Sequence, residues 1–359
     1  MKILIATPIF PPEIGGPALY SQKLAEEFLS RGLEVGVITY GKSGVFRWWP
    51  SGVRQLIYFF KLFRQAKNSD AIFAFDSLGA GLPAVLAGKI LRKKVVIRLG
   101  GDFLWEKFVE TGKEMVTLSE FYEQKKYKEF PLLHRLIIFT LRNSIVAFTT
   151  EFQKNLFVEH YNLDPQRTLV ISNTFDKKKG ETIDYRDNSR IILWAGRFLK
   201  LKNLDFLLKV FKRLLAYDKN LILEMAGEGP ELEKLKVESR KLKVNNKVLF
   251  LGNLDQSEIS EKIRESYFCI LPSLSEVSPN FALRCLSLSK PIILTEETGI
   301  KEQFPGLFYA DPQKEDSFFA AALRLLDANT YDNYQKFISD IRYQKTWKNL
   351  AEEYLQLLK

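Results

Sequence analysis

The sequence predicts an α/β protein made of two doubly wound domains in tandem. Its 359 residues are many for one hydrophobic core. Short runs of β-branched and aromatic residues alternate with helical patterns, which is typical of parallel sheets covered by helices. A polar, unpatterned stretch at 176–190 divides this alternation into two halves, so we predict an interdomain linker there.

The first half contains six apolar runs that are predicted to be buried parallel strands. The first run is followed by a glycine-containing loop and then by a helical pattern. Pro17 suits the first turn of that helix, and Gly32 suits the position just past its end. The six predicted strands are KILIA (2–6), EVGVITY (34–40), AIFAF (71–75), KVVIR (94–98), IVAFT (145–149) and TLVIS (168–172).

The second half repeats the alternation. We therefore predict an N-terminal Rossmann-like domain over 1–176, a linker over 177–189 and a C-terminal Rossmann-like domain over 190–345. An amphipathic pattern over 346–359 predicts a final helix packed on the body of the protein or across both domains. Ligands are expected at the carboxyl ends of both sheets, in a cleft between the domains. The six predicted strands are RIILWAG (190–196), LILEMAG (221–227), KVLFLG (247–252), YFCILP (267–272), PIILT (291–295) and LFYA (307–310).

The charge of the chain favours anionic partners. Lys and Arg number 53 against 43 Asp and Glu, which gives a net charge of +10. A basic protein attracts nucleic acid, lipid headgroups or phosphorylated substrates. No nucleic-acid-binding motif is visible, so we expect no nucleic-acid partner and favour the other two classes.

Composition also indicates a cytoplasmic location. No apolar run is long enough to span a bilayer, and the first residues do not resemble a signal peptide. Cys269 and Cys285 are expected to be buried, reduced thiols. His134 and His160 have no motif around them, which argues against histidine-based zinc chemistry and against a Ser-His-Asp triad.

Three loops that follow predicted strands contain residues suited to an anionic ligand. Gly15 and Gly16 allow backbone N–H groups to approach an anion closely, and an ordinary strand-to-helix turn is the alternative. Arg197 and Lys202 lie on either side of a turn that opens a helix, so two cations can clamp a diphosphate without a metal. The glycine turn at 227–229 fits a tight bend against a flat ring.

A fourth loop, SEVSPN (275–280), places one carboxylate before a helix. Glu276 lies in the loop, and Arg284 follows eight residues later, a little over two helical turns. We expect both side chains to face the same way and to belong to one site. Arg284 only donates hydrogen bonds, so its partner is a phosphate, another carboxylate or Glu276 itself. The alternative is a rotated helix in which Arg284 reaches solvent.

In this order and with these spacings, the segments resemble the retaining glycosyltransferases of family 4, which have the GT-B fold. The resemblance covers nearly the whole chain and is most specific over residues 272–293 and ETGIKE (297–302). It implies a hexosyltransferase that takes a sugar from a nucleotide-sugar donor with retention at the anomeric carbon. It also implies no metal, no cofactor and a glycan or lipid-linked acceptor, in polysaccharide or glycolipid biosynthesis.

The resemblance assigns donor binding to the C-terminal domain and acceptor binding to the N-terminal domain. Arg197 and Lys202 would hold the donor diphosphate, and Glu276 would bind hydroxyls of the donor sugar. The other implied donor-site residues are Gly15, Gly16, Gly227, Glu228, Gly229, Asn280, Phe281 and Arg284.

Two positions depart from the family pattern. Arg284 stands where the family usually has a second acidic residue, which bonds the ribose. Where many members carry a histidine, this chain has RLGGDFLWEKF, with Asp102 and Glu106 as the polar candidates. Asp102 either orients or deprotonates the acceptor, or it caps the following helix; we assign it to the catalytic group.

A basic, aromatic stretch at 42–67 has no acidic residue. It predicts either an interfacial helix on an anionic membrane, at the inner face of the cell membrane, or a core helix with a solvated cationic edge. Trp48 and Trp49, in a loop before Pro50, favour an acceptor or membrane contact.

Two other functions compete with glycosyl transfer. One is a sugar-nucleotide-binding protein that has lost catalysis, with Arg284 as the cause. The other is a sugar-nucleotide epimerase of similar fold. The scarcity of histidine and the SEVSP segment argue against an epimerase. A Rossmann dehydrogenase is disfavoured because the G-x-G-x-x-G fingerprint is absent.

Overall fold

The structure, a computed structural model, describes residues 1–13, 15–40, 51–174 and 190–358. The predicted linker and the Trp48–Trp49 pair lie outside the described residues. Within the described ranges, no helix combines the length and the apolar character needed to cross a membrane.

The described chain contains twelve β-strands, which are named here in chain order. Each begins and ends within two residues of its predicted bounds. The strands are β1 (Lys2–Thr7), β2 (Glu34–Thr39), β3 (Ala71–Ala74), β4 (Lys94–Leu99), β5 (Ile145–Phe148), β6 (Thr168–Val170), β7 (Ile191–Ala195), β8 (Ile222–Ala226), β9 (Val248–Gly252), β10 (Phe268–Leu271), β11 (Ile292–Thr295) and β12 (Phe308–Ala310).

Fourteen α-helices lie in the same described ranges and mostly connect consecutive strands. They are α1 (Gly16–Ser30), α2 (Ser51–Ala66), α3 (Gly81–Leu91), α4 (Phe103–Thr111), α5 (Leu118–Glu123), α6 (Pro131–Arg142), α7 (Glu151–Tyr161), α8 (Leu204–Tyr217), α9 (Leu232–Lys241), α10 (Gln256–Glu265), α11 (Asn280–Ser287), α12 (Glu315–Leu326), α13 (Ala328–Asp340) and α14 (Trp347–Gln356).

The chain divides into two compact units. The first unit comprises Met1–Leu104, Gln124–Thr174 and Lys345–Lys359, and the second unit comprises Trp105–Glu123 and Phe175–Gln344. Each unit contains one six-stranded sheet in which all pairings are parallel. The predicted fold class, two doubly wound α/β domains, is confirmed.

The first unit has the strand order β2-β1-β3-β4-β5-β6, so its strand order reverses between β1 and β3. Its core joins the sheet to α1 and α14. The hydroxyls of Tyr20 and Tyr354 lie 3.2 Å apart, and the Trp347 ring packs on Tyr20 with centroids 5.0 Å apart. The final helix therefore belongs to the core of the first unit.

The second unit has the strand order β12-β11-β10-β7-β8-β9 and reverses between β7 and β10. Its core is a large cluster that includes Trp194, Phe211 and Phe268. Cys269 and Cys285 are both free and fully buried in this cluster, as predicted from the sequence.

The segment Trp105–Glu123 differs from the predicted domain boundaries. The prediction placed it in the N-terminal domain, whereas its contacts place it in the second unit. Helical periodicity shows that a segment has an apolar face, but it does not show which core covers that face. The polar contacts that hold this segment are described with the site below.

Candidate active site

The second unit carries its candidate residues at the point where its strand order reverses. Strands β7 and β10 pair directly there, with Ile192 opposite Phe268. The loop after β7 contains Arg197 and Lys202, and the loop after β10 contains Glu276. Open α/β sheets bind ligands at this position, outside the carboxyl ends of the strands.

The loop after β7 rests directly on the glycine turn after β8. The N–H of Phe198 donates to the carbonyl oxygen of Glu228 at 2.9 Å, and the N–H of Glu231 donates to the carbonyl oxygen of Phe198 at 3.1 Å. A Cβ on Gly227 would lie 1.9 Å from the carbonyl oxygen of Gly196. A Cβ on Gly229 would lie 2.4–2.8 Å from backbone atoms of Phe198. These glycines thus allow two backbones to touch and fix where Arg197 leaves the sheet.

We expect Gly229→Ala to destabilise the second unit by about 1–3 kcal/mol, because the backbone atoms it would contact cannot move away cheaply. Urea unfolding measures this change. The matched control is Gly252→Ala, where a Cβ meets no atom within 4 Å and only the left-handed φ of +70° opposes the substitution. Equal losses of stability in both variants would mean that the close approach of the two loops contributes nothing to the cost of Gly229→Ala.

Arg197 presents a free cation beside this turn. The residue is exposed, and its guanidinium has no ion pair with any described carboxylate. A 3₁₀ turn follows at Lys200–Lys202. Asn203 then caps the start of α8 in a left-handed conformation with φ 56°. The Asn203 side chain donates to the carbonyl oxygen of Pro312 at 2.8 Å, which anchors the start of the helix.

Lys202 and Glu276 form the central contact of the site. Lys202 Nζ lies 2.6 Å from Glu276 Oε1, and the hydroxyl of Ser273 donates to the same oxygen at 2.6 Å. Glu276 is only 9% exposed. Its other oxygen, Oε2, accepts no hydrogen bond from the described residues, so it is available to a ligand hydroxyl.

The backbone of Glu276 is fixed by the turn after β11. Its N–H donates to the carbonyl oxygen of Glu297 at 2.8 Å, and its carbonyl oxygen accepts from the N–H of Gly299 at 3.0 Å. These two bonds form a parallel bridge between Glu276 and Thr298. Partners in such a bridge point their side chains to the same side. The Thr298 hydroxyl is buried there without a hydrogen-bond partner among the described residues.

The inserted segment Trp105–Glu123 forms hydrogen bonds with both loops of the site. Lys200 Nζ donates to the carbonyl oxygen of Glu110 at 3.1 Å, and the Leu201 N–H donates to the Glu110 carboxylate at 3.2 Å. The ammonium group of Lys200 therefore anchors the end of α4.

The same segment contacts the loop that contains Glu276. The N–H of Leu118 donates to Ser275 Oγ at 2.8 Å, and Ser119 Oγ donates to Glu297 Oε2 at 2.9 Å. Burial raises the pKa of the Glu297 carboxyl, and the hydroxyls of Ser119 and Ser275 oppose that shift in part. Sequence reasoning missed this support because its residues are separated by more than 150 positions.

Arg284 does not meet Glu276. Its Nη1 donates to the carbonyl oxygen of Gln256 and to Ser260 Oγ, the latter at 3.1 Å, so the side chain lies along α10. The predicted pairing of Arg284 with Glu276 is therefore not observed, and Lys202 takes that place. The estimate of two helical turns failed because α11 begins only at Asn280, after Pro279 in an extended conformation.

The remaining predicted residues of the second unit lie close to these loops in the chain. Asn280 and Phe281 are the first two residues of α11; Asn280 is exposed and Phe281 packs on the core. Glu228 is exposed at the tip of the glycine turn. The helix after that turn, α9, begins at Leu232, two residues later than the position of Pro230 suggests.

Gly15, Gly16 and Asp102 lie in the first unit. Gly15 precedes α1 with an extended φ of 162°, and a Cβ there would lie 2.5 Å from the Ile9 side chain. That contact is with Cδ1, the end of a flexible side chain that can move, so close packing does not by itself require glycine at this position. Asp102 is 2% exposed and directly precedes α4.

In the described ranges, no group of three or more His, Cys, Asp and Glu side chains could hold a metal ion. Independence from metal stays a prediction.

Comparison with known proteins shows which proteins this chain is similar to. Residues 175–343 match the family described as Glycosyl transferases group 1. This match covers most of the second unit and less than half of the whole chain. The chain is 24% identical to alpha-monoglucosyldiacylglycerol synthase of Streptococcus pneumoniae over 51% of this chain and 42% of that protein. It is 20% identical to the phosphatidylinositol N-acetylglucosaminyltransferase GPI3 subunit of Saccharomyces cerevisiae over 99% of this chain and 82% of that protein.

A solved structure extends the comparison to the whole fold. The crystal structure of Anabaena Alr3699/HepE in complex with UDP has a TM-score of 0.71 and 16% identity, and the match covers 100% of this chain and 99% of that one. This likeness confirms the predicted GT-B architecture. The alignments with the first three curated relatives span 47%, 62% and 42% of those proteins, so the chain spans about half the length of these relatives.

Proposed function

We propose that this protein is a retaining, metal-independent glycosyltransferase that moves a hexose from a nucleoside-diphosphate sugar to a glycan or lipid-linked acceptor. The observation that carries the proposal is the Lys202–Glu276–Ser273 contact beside the free cation of Arg197. It lies where the strand order reverses, in the unit that matches the group 1 family.

The chemistry requires stabilisation of a leaving group that becomes more negative. The bond between the anomeric carbon and the donor phosphate oxygen breaks, and its electron pair stays on the nucleoside diphosphate. Arg197 and Lys202 are fixed cations that stabilise this growing charge, as a metal does elsewhere. The acceptor hydroxyl forms the new bond on the same face and passes its proton to the departing phosphate.

Glu276 and Lys202 contact different parts of the donor: Glu276 binds the sugar, and Lys202 binds the diphosphate. Glu276 Oε2 accepts from a sugar hydroxyl, while Oε1 stays bonded to Lys202 and Ser273. Lys202 has three donors, and Glu276 uses one of them, so the others can reach the diphosphate. The sugar and its leaving group are thus held through one contact, which favours a single orientation of the reacting bond.

We assign the acceptor to the first unit, with Asp102 orienting its hydroxyl or, as the alternative to the departing phosphate, taking its proton. Two relatives support a lipid-linked acceptor through their names, a monoglucosyldiacylglycerol synthase and a phosphatidylinositol N-acetylglucosaminyltransferase subunit. The UDP in the related solved structure supports a nucleoside-diphosphate donor.

A thermal-shift panel tests the donor site. UDP, GDP, ADP, CMP and dTDP are added separately in EDTA. We expect one nucleoside diphosphate to raise the melting temperature, since a ligand at a hundredfold excess over its Kd stabilises by about 2.7 kcal/mol. Turnover that stops in EDTA and returns with magnesium would contradict a metal-independent site.

We also expect the first unit to bind anionic membranes through the described part of the 42–67 stretch. On α2, Val53, Leu56 and Phe60 are exposed at helical spacing, and α2 contains no acidic residue. Such a face inserts between lipid headgroups while its cations attract anionic lipid. We therefore propose that the protein binds at the inner face of the cell membrane.

Liposome sedimentation measures this binding. Vesicles of phosphatidylglycerol should retain the protein, and salt should weaken retention. The double variant Leu56→Ser, Phe60→Ser should lose it. The control is Leu132→Ser, an equally exposed leucine on α6 of the same unit. If both variants bind like the wild type, the α2 face is not the membrane contact.

A further inference from the structure

The first unit contains a buried arginine that the proposed reaction does not use. Arg98 lies at the carboxyl end of β4 and is only 9% exposed. Strand β4 is the neighbour of β3, next to the point where the first sheet reverses its order. The side chain thus lies at the edge of the sheet where open α/β domains bind their ligands.

Neighbouring side chains hold the Arg98 guanidinium in place but do not neutralise it. Its central carbon lies 3.7 Å above the centroid of the Tyr20 ring, and Nη2 donates to Asn173 Oδ1 at 2.7 Å. Nε is buried and has no hydrogen-bond partner among the described residues. None of the described carboxylates forms an ion pair with Arg98.

A buried cation without a counter-ion is an unfavourable arrangement in a folded protein. Buried arginines normally bond a carboxylate or saturate their donors with backbone carbonyls. Arg142 of the same unit is exposed and still has the second kind of partner, since its Nε and Nη2 both donate to the carbonyl oxygen of Tyr161 at 3.3 and 3.0 Å. Arg98 has neither kind of partner, which points to an anion that the described chain does not supply.

Gly100 lies close to the Arg98 guanidinium, and the Lys345–Glu353 ion pair lies beside the segment that contains Asn173. A Cβ on Gly100 would lie 2.9 Å from Nη1, so the backbone of this bend passes close to that edge of the guanidinium. Lys345 Nζ approaches Ser172 Oγ at 3.4 Å, next to Asn173, and is paired with Glu353 at 2.8 Å. Two cations and one carboxylate thus surround residues 172–173.

We propose that Arg98 binds one anionic oxygen group, a phosphate or a carboxylate, carried by the acceptor. The planar guanidinium is already oriented by Tyr20 and Asn173, so little side-chain freedom is lost when the anion binds. The acceptor as the source of the anion rests on the proposed function; the anion site itself does not. A phosphate-bearing lipid and an acidic sugar are the two sources of this chemistry.

The test titrates the full-length protein with inorganic phosphate or glucuronate against sodium chloride of equal ionic strength. Saturating UDP is present so that the titrated anion cannot enter the donor site. If UDP does not bind, all variants are made in the Arg197→Ala protein instead. The variants are Arg98→Met, which keeps the volume, and Arg98→Lys, which keeps the charge. The matched control is Arg142→Met, which removes an arginine whose partner is a backbone carbonyl.

We expect Arg98→Met to weaken binding of one of the two anions at least tenfold, with UDP affinity unchanged and the melting temperature equal to or above that of the wild type. Arg98→Lys should retain part of the affinity. Arg142→Met should lower the melting temperature and leave anion binding intact. Phosphate preference indicates a phosphate-bearing acceptor, and glucuronate preference indicates an acidic sugar.

Hydrogen exchange of the wild type gives a second readout that needs no variant. The bound anion should protect amides at 98–101 and 171–174. Protection elsewhere only, or anion binding unchanged in Arg98→Met, overturns the proposal. If no nucleotide binds but anion binding still depends on Arg98, the donor assignment is contradicted and the anion site is supported.

Discussion

Arg197→Ala is expected to lower kcat about 100–1,000-fold, the effect of removing one preorganised donor from a developing negative charge. The free energy of unfolding should change by less than about 0.5 kcal/mol, as for other exposed side chains without structural contacts. Arg197 combines both conditions, because its backbone is fixed by the loop packing at Gly227 and Gly229 while its guanidinium has no partner in the described chain. Sugar transfer measured beside urea unfolding separates the two quantities.

The control for Arg197 is Arg240→Ala. Arg240 is equally exposed in the same unit, in the last turn of α9. It should change neither kcat nor stability. Parallel loss of activity and folding in Arg197→Ala would mean that this arginine supports the loop rather than the donor, and unchanged kcat would remove it from the site.

Glu276→Gln and Lys202→Met are each expected to lower kcat by about 100-fold or more, since each removes a charged contact that orients the donor. Unlike Arg197, these side chains also contribute to stability. Their 2.6 Å contact is largely buried, with 20% of the Lys202 side chain and 11% of the Glu276 side chain exposed. Loss of one partner should destabilise the protein by about 1.5–3 kcal/mol.

The double variant tests whether the two residues act as one unit. Removing both charges leaves no unpaired ion, so its loss of stability should be smaller than the sum of the single losses. Ser273→Ala is the control, because it removes the other hydrogen bond to Glu276 Oε1 without a change in charge. It should cost about 0.5–1.5 kcal/mol. Additive stability losses would show that the contact contributes no coupling energy, and a fully active Glu276→Gln would exclude this carboxylate from donor binding.

Several candidate site residues can be predicted from the sequence because the pattern that marks them is local. Arg197 follows a strand end and Lys202 precedes a helix, and both facts are visible as a change of periodicity within about ten residues. The glycine turn at 227–229 is also visible in the sequence, but the reason why glycine is needed there is not. The sequence suggested a turn against a flat ring, and the structure shows backbone contact with Gly196 and Phe198.

Long-range contacts account for the features that sequence reasoning missed. Lys200 bonds Glu110, and Ser119 bonds Glu297, so an inserted segment from the first half of the chain supports the site. The predicted Arg284–Glu276 pair depended on counting helical turns through a loop, which failed when α11 began late. Arg98 was predicted only as part of a strand, since its lack of a counter-ion is visible only when its neighbours are known.

The sequence by itself determined the twelve strands, the two-unit α/β architecture and the loops that carry Arg197, Lys202 and Glu276. These follow from periodicity and from the residues that end strands and begin helices, which act over a few positions. Only the tertiary structure decided that Lys202 rather than Arg284 pairs with Glu276, and that the segment Trp105–Glu123 belongs to the second unit. Each depends on which buried groups meet across distant parts of the chain, where hydrogen bonding and desolvation select the partners.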